Sequence, residues 1–175
     1  MAPGWSESPW AGPGTTASTL PLAEQRFLPR QMDFESLIRV LAEEHKIMAA
    51  GLATMKDAAT RGDFEEVAAS LGALDPIFRQ HIADEESQIL RLLIGELGVK
   101  GAEAEIKVFQ QHRPIYELMQ LISDLASKST PELKADQHRL SGLFLEHTSL
   151  EEQGVFPKAL GMYRNLRGRQ FSKPS

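Results

Sequence analysis

His147-Thr148-Ser149-Leu150-Glu151 and His81-Ile82-Ala83-Asp84-Glu85 are two copies of one pattern, an imidazole with a carboxylate four residues on. In a helix both groups of such a pair stand on one face. Taken singly, the pair is a common helix-surface contact worth about 0.3 kcal/mol. Its context carries more. His45 and His112 stand upstream of the two copies, and apolar residues run through all four histidines at helical spacing. The seams read Phe34, Leu37, Leu41, His45, Met48, Leu52, Met55, then Val67, Leu71, Leu74, Phe78, His81, Glu85, Ile89, Leu92. They continue as Ile106, Phe109, His112, Ile115 or Tyr116, Met119, Ile122, and finally Leu133, Leu140, Phe144, His147, Glu151. Steps of three and four predict four amphipathic helices, each with one histidine on its apolar side.

Capping and breaking residues set the limits of these helices. Asp33 is a suitable cap for the first, and Gly62-Asp63 ends it and caps the second. Gly95, Gly98 and Gly101 predict the next turn. Thr130 followed by Pro131 in the first helical position predicts the start of the fourth helix, and Gly154 and Pro157 its end. Pro76 and Pro114 fall inside predicted helices and imply kinks, Pro114 close to His112. Short connections make an up-down-up-down four-helix bundle the simplest all-α arrangement, spanning 32–163 with a short C-terminal helix over 155–163. Residues 1–31, with Pro3, Gly4, Pro9, Gly12, Pro13, Gly14 and Pro21, cannot bury enough apolar surface to offset ordering and are expected to be a disordered leader. Trp5 and Trp10 are unusual in such a segment. Residues 164–175 read as a basic, polar, solvated tail.

Composition narrows the function. A length of 175 residues suits one domain. A net charge of −5 disfavours nucleic acid and anionic membranes as partners. The absence of cysteine rules out disulfides, zinc fingers, thiolate-held clusters and a cysteine nucleophile. No apolar run reaches the ~18 residues of a membrane span, and no basic-then-apolar leader marks a signal peptide, so the cytoplasm is the default expectation.

Spacing joins the motifs. The midpoint of His45 and His81 falls at 63, that of His81 and His112 between 96 and 97, and that of His112 and His147 between 129 and 130, all in predicted turns. Residues equally far from a turn share a depth on antiparallel helices, so the four histidines are expected in one layer. His45 and His112 are 67 residues apart, whereas His81 and His147, and likewise Glu85 and Glu151, are 66 apart. The doubled acids Glu85-Glu86 and Glu151-Glu152 recur with them. This implies a pseudo-twofold site of four imidazoles and two carboxylates, which suits two ions, each held by two histidines and joined by Glu85 and Glu151. Mixed N/O ligation leans to iron, with Mn or Zn as alternatives. Six such groups buried without a cation would be costly. His138, half a helical rotation from His147 and among polar neighbours, is expected to be exposed and not a ligand. No histidine here has Glu three residues before it, unlike the Glu-x-x-His pairs of ferritin-like di-iron proteins.

The order His45, His81-x-x-x-Glu85, His112, His147-x-x-x-Glu151-Glu152, followed by Val155-Phe156-Pro157, resembles the hemerythrin-like (HHE cation-binding) domain, over roughly 33–163. The resemblance implies a non-haem di-iron centre with an oxo or hydroxo bridge, His45 and His81 on one iron, His112 and His147 on the other, and Glu85 and Glu151 between them. O2-carrying members have a further histidine where Tyr116 stands here. Three roles for Tyr116 follow: phenolate ligand, hydrogen-bond donor to a bound oxygen species, or packing. The four-His, two-Glu set resembles the subgroup linked to nitric oxide, peroxide and repair of iron centres. Leu41, Met48, Phe78, Phe109, Ile115 and Phe144 flank the ligands as core and as a chamber suited to a small apolar gas.

The expectation is a protein that binds, senses or turns over O2, NO or H2O2, with an unknown redox partner. Di-iron peroxidase, catalase-like or NO-reducing activity is the enzymatic alternative. Iron-centre repair, or O2 or iron storage, is another, and a metal-free interaction bundle is the last.

Overall fold

The computed structural model describes residues 27–130 and 132–171. Trp5, Trp10, Pro131 and the last residues of the expected tail lie outside them. The described residues form four helical rods and contain no strand. The first is α1 (Phe34–Arg61). The second is α2 (Phe64–Asp84), a π-helical segment (Glu85–Leu90) and α3 (Arg91–Gly101). The third is α4 (Glu103–Phe109) and α5 (His112–Ser127). The fourth is α6 (Leu133–Leu150), a second π-helical segment (Glu151–Val155) and α7 (Phe156–Phe171).

The first turn follows the expected chemistry. The Asp33 carboxylate accepts from the Ser36 N–H at 2.9 Å and starts α1. Gly62 closes it in the left-handed region (φ 75°), donating back to the carbonyls of Ala58 and Ala59. Asp63 then caps α2 through the Glu66 N–H at 3.0 Å. Every seam residue named for the first helix is buried. Pro76 stays inside an unbroken α2.

The turn expected from Gly95, Gly98 and Gly101 falls at Gly98, whose φ of 69° and ψ of 167°, accessible to glycine without strain, interrupt the helix. Elsewhere the rods depart from the sequence reading. The third is in two pieces, interrupted at Gln110-Gln111. Pro114 therefore sits in the first turn of α5, where a missing N–H costs least. No side chain caps α6, which begins at Leu133. The fourth rod does not end at Gly154 and Pro157. Its π turn bonds the Phe156 N–H to the Glu151 carbonyl, five residues back, and this wider register carries the chain past Pro157 into α7. The expected short helix over 155–163 and the solvated tail from 164 are thus one longer helix to Phe171. Tyr163 stacks on Phe34 at 4.7 Å, and Arg164 pairs with Glu35 at 2.9 Å.

The π turns also move the buried face. After Glu85 the inward residues are Ile89 and Leu93, not Leu92 as a uniform α-helix predicts. After Glu151 they are Val155 and Ala159. Steps of four, rather than the mean of 3.6, are what a widened turn produces.

α1 packs on α2 and α6, and α5 packs on the same two, so the rods close into a ring. At one end of this ring Met48, Leu52, Met55, Phe78, Ile115, Leu140 and Phe144 belong to one apolar cluster. At the other, where α7 meets α1 and α3, Phe34, Leu37, Leu41, Ile89, Leu93, Phe109 and Phe156 belong to a second. The histidines lie between the two. No helix among the described residues is long and apolar enough to cross a membrane.

The end of the expected leader is also ordered. Arg30 donates from its backbone N–H and its Nε to the buried Asp84 carboxylate at 2.6 and 2.5 Å. The amides of Gln80 and Gln88 donate to the carbonyls of Leu28 and Arg30. Residues 27–31 are therefore strapped onto the second rod.

Candidate metal centre

His45 on α1, His81 on α2, His112 at the start of α5 and His147 on α6 are all buried, as are Glu85 and Glu151, the first residues of the two π segments. The six form two overlapping groups that could hold a metal ion: His45, His81, Glu85 and Glu151, and Glu85, His112, His147 and Glu151. Within each group the donor atoms lie within 4.8 Å of one another. Both carboxylates are shared.

The contacts obey a twofold rule. Nε2 of His81 lies 3.3 Å from Glu85, and Nε2 of His147 lies 3.2 Å from Glu151. Across the halves, Nε2 of His45 lies 3.2 Å from Glu151 and Nε2 of His112 lies 3.0 Å from Glu85. Donors about 3 Å apart have the spacing of adjacent ligands on an ion with bonds of about 2.1 Å.

Every Nε2 faces inward because every Nδ1 is engaged outside. His45 Nδ1 meets Glu152 at 2.8 Å and His112 Nδ1 meets Glu86 at 3.3 Å. His81 Nδ1 meets Glu44 at 3.1 Å and His147 Nδ1 meets Gln111 at 3.3 Å. An Nδ1–H given to an outer oxygen leaves Nε2 as the lone-pair nitrogen, the tautomer a metal ligand requires.

The inner atoms are short of partners. Both oxygens of Glu85 and of Glu151, and Nε2 of His112 and of His147, make no hydrogen bond of good geometry. Buried carboxylates in that state are unfavourable unless a positive charge lies among them. Protons supply some of it in the metal-free site. Burial pulls the His81 imidazole down, but Glu85 and Glu44 outweigh it and hold it up at about 9. His112 is raised well above its ordinary value, burial being overcome by Glu151, Glu85 and Glu86. His147 is pushed down to about 4 by burial, which the attraction of Glu151 does not offset and the charge on His112 reinforces. Burial raises the Glu85 carboxyl, yet His81 and His112 bring it well below the carboxylate range. Divalent cations among the same oxygens would replace these protons, so the donor set fits metal.

The other sequence-derived residues separate. His138 is exposed, away from the ligand groups. Met48, Phe78, Ile115 and Phe144 line a small apolar cavity of about 10 Å³, and the Phe78 and Phe144 rings stand edge-on to His112 and His45 at 6.2 and 6.3 Å. Leu41 and Phe109 belong to the other cluster, Phe109 edge-on to His112 at 5.6 Å. Tyr116 turns away. Ile115 takes the buried face of α5, while Tyr116 lines a surface groove between α2 and α5, under the Arg79 guanidinium at 5.7 Å. None of the six candidate ligands lines that groove, so of the three roles for Tyr116 this geometry supports packing.

The sequence reading assigned no role to Glu44, Glu86, Gln111 and Glu152, nor to Arg30 and Asp84. The signal for the first four was present, since each is the immediate neighbour of a ligand. No family model, curated protein or solved structure matches the chain.

Proposed function

We propose that this is a hemerythrin-like, up-down-up-down bundle with a non-haem di-iron centre that binds, senses or turns over a small oxidant such as O2, NO or H2O2. One observation carries the reading: six buried donors converge as two four-residue groups sharing both carboxylates, with every imidazole Nδ1 engaged from behind by an outer oxygen and every Nε2 turned to the centre. His45 and His81 would hold one ion, His112 and His147 the other, with Glu85 and Glu151 common to both. Iron is favoured over Mn or Zn by the mixture of imidazole and carboxylate. When bound, a pair of iron ions supplies redox chemistry toward a small oxygen or nitrogen ligand.

Next to the layer, Met48, Leu52, Leu74, Phe78, Ile115, Met119 and Phe144 enclose a small apolar cavity of about 10 Å³, which none of the six donors lines. Apolar surroundings of this kind suit a small uncharged ligand better than a polar substrate. The exposed carboxylates of Glu86 and Glu152 lie behind His112 and His45, where they can pass a proton between an imidazole Nδ1 and solvent.

Metal analysis of protein expressed with iron tests the reading, and a substoichiometric content of every transition metal would sink it. Absorption spectra of the reduced protein with O2 or NO, and of the oxidised protein with H2O2, then divide reversible binding from turnover. Consumption of many equivalents of oxidant marks an enzyme. A single stable adduct marks a carrier or sensor.

A further inference from the structure

The two halves of the site match residue for residue, with one exception among the side chains behind the histidines. His45 and His112 are backed by the equivalent acids Glu152 and Glu86, with side-chain exposures of 47% and 51%. His81 is backed by the carboxylate of Glu44, whereas its counterpart His147 is backed by the neutral amide oxygen of Gln111. We propose that Glu44, fixed by Arg30, makes the His45/His81 half the tighter cation position, and that Gln111 leaves the His112/His147 half the weaker, exchangeable one. The inference rests on the dinuclear reading above.

Three features support it. An imidazole N–H given to a carboxylate makes a charge-assisted bond, roughly twice as strong as one given to an amide. Partners of this kind change metal affinity by about 10- to 100-fold. Secondly, Glu44 is fixed in place. Arg30 pairs with one of its oxygens at 2.8 Å while its other oxygen faces His81, and Arg30 is itself held by Asp84. Gln80 adds a further bond to Asp84 at 3.1 Å. Glu44, Asp84 and Arg30 together keep a net negative charge beside this half.

Thirdly, the equivalent place on the other half is built differently. The residue 66 positions after Asp84 is Leu150, which is 43% exposed. Leu150 and Gln111 line a surface cleft of about 580 Å³ with Val108, Lys100 and Lys107. Among the described residues no side chain holds Gln111 as Arg30 holds Glu44. Of the two lysines of the cleft, Lys107 is paired at 2.9 Å with Glu103, which lines it too, so the cleft holds no carboxylate aimed at Gln111.

Arg30, Glu44 and Gln111 are positioning residues, and the test reads metal binding. The full chain, stripped with chelator, is titrated with Co(II) and followed by calorimetry and visible absorption. Two uptake steps are expected, at least about tenfold apart in affinity. His147→Ala should keep the tight step and His81→Ala should lose it. Glu44→Gln should weaken the first step about tenfold, and Gln111→Glu should strengthen the second so that the steps converge. Arg30→Lys should preserve more of the gap than Arg30→Ala. Equal steps in the unaltered protein overturn the proposal, as does a gap that Gln111→Glu leaves unchanged or a tight step that survives His81→Ala. No Co(II) uptake overturns the dinuclear reading itself, and thermal melts of each variant separate loss of binding from loss of fold.

Discussion

On one side of the ligand layer, Met48, Leu52, Met55, Leu71, Leu74, Leu140 and Phe144 pack from unbroken α-helix at steps of three and four. On the other, Ile89, Leu93, Phe109, Val155 and Phe156 pack from rods that contain two π turns, a bend at Gly98 and a break at Gln110-Gln111. The irregularities begin at the layer itself: Glu85 and Glu151 each open a π segment, and His112 opens α5 directly after the break. Regular helices bring the histidines to one depth, and the second end adjusts its backbone to close over them. Departures from ideal helix are thus concentrated where the chain passes a ligand, as is common at functional sites.

The largest test of this division removes the layer. Glu151→Ala takes a donor from both groups, so bound metal should fall towards none, and His81→Ala should lose at least one ion per chain. Saturating metal at about 1,000 times its Kd stabilises a fold by about 4 kcal/mol. That increment should vanish for Glu151→Ala and shrink for His81→Ala, which keeps the second group of donors, when melting is compared with and without metal.

Next in size is the register of the irregular end. Leu93 is fully buried, so Leu93→Ala should cost about 2–5 kcal/mol in denaturant unfolding. Leu92→Ala should cost under about 1 kcal/mol. Equal losses would mean that the second rod is α-helical throughout and the two ends are alike.

A smaller effect comes from pH. The imidazole of His81 is raised in the folded, metal-free protein to about 9, so its contribution to stability is fully present below its ordinary value near 6.5 and is lost as pH rises through about 9. Metal needs the same imidazole neutral, so metal affinity should increase across that interval. Unfolding curves of stripped and loaded protein between pH 6.5 and 9 should therefore diverge. Parallel curves would argue against a shared site for proton and metal. The smallest effect is expected from His138→Ala, which should change stability by less than about 0.5 kcal/mol and leave metal content unaltered.

The regular end was legible in the sequence because side-chain periodicity reports α-helix directly. The seam from Phe34 to Met55, the Gly62-Asp63 turn and the layer of histidines could all be read from spacing. The irregular end was not. Gly154 and Pro157 carry the composition of a helix stop, and only the five-residue bond to Glu151 lets the chain continue. Leu92 and Leu93 are equally apolar, so a one-residue change of register leaves no compositional trace. Arg30 was hidden for another reason. The segment before α1 has the composition of a solvated leader, and a single arginine meeting a buried aspartate 54 residues away has no local signature. The role of Tyr116 depended on which of two adjacent residues faced inward, which the turn at His112 decides.

Each π turn adds one residue to its rod, and one residue in a helix corresponds to about 100° of rotation. The chain between Glu151 and Phe156 therefore works as an angular setting for everything beyond it. Deleting Gln153 would hardly shorten the protein, but it would swing α7 about its own axis, carrying Tyr163 off Phe34 and Arg164 off Glu35 while the ligands upstream kept their places. Over this stretch, residue number is a measure of orientation more than of length.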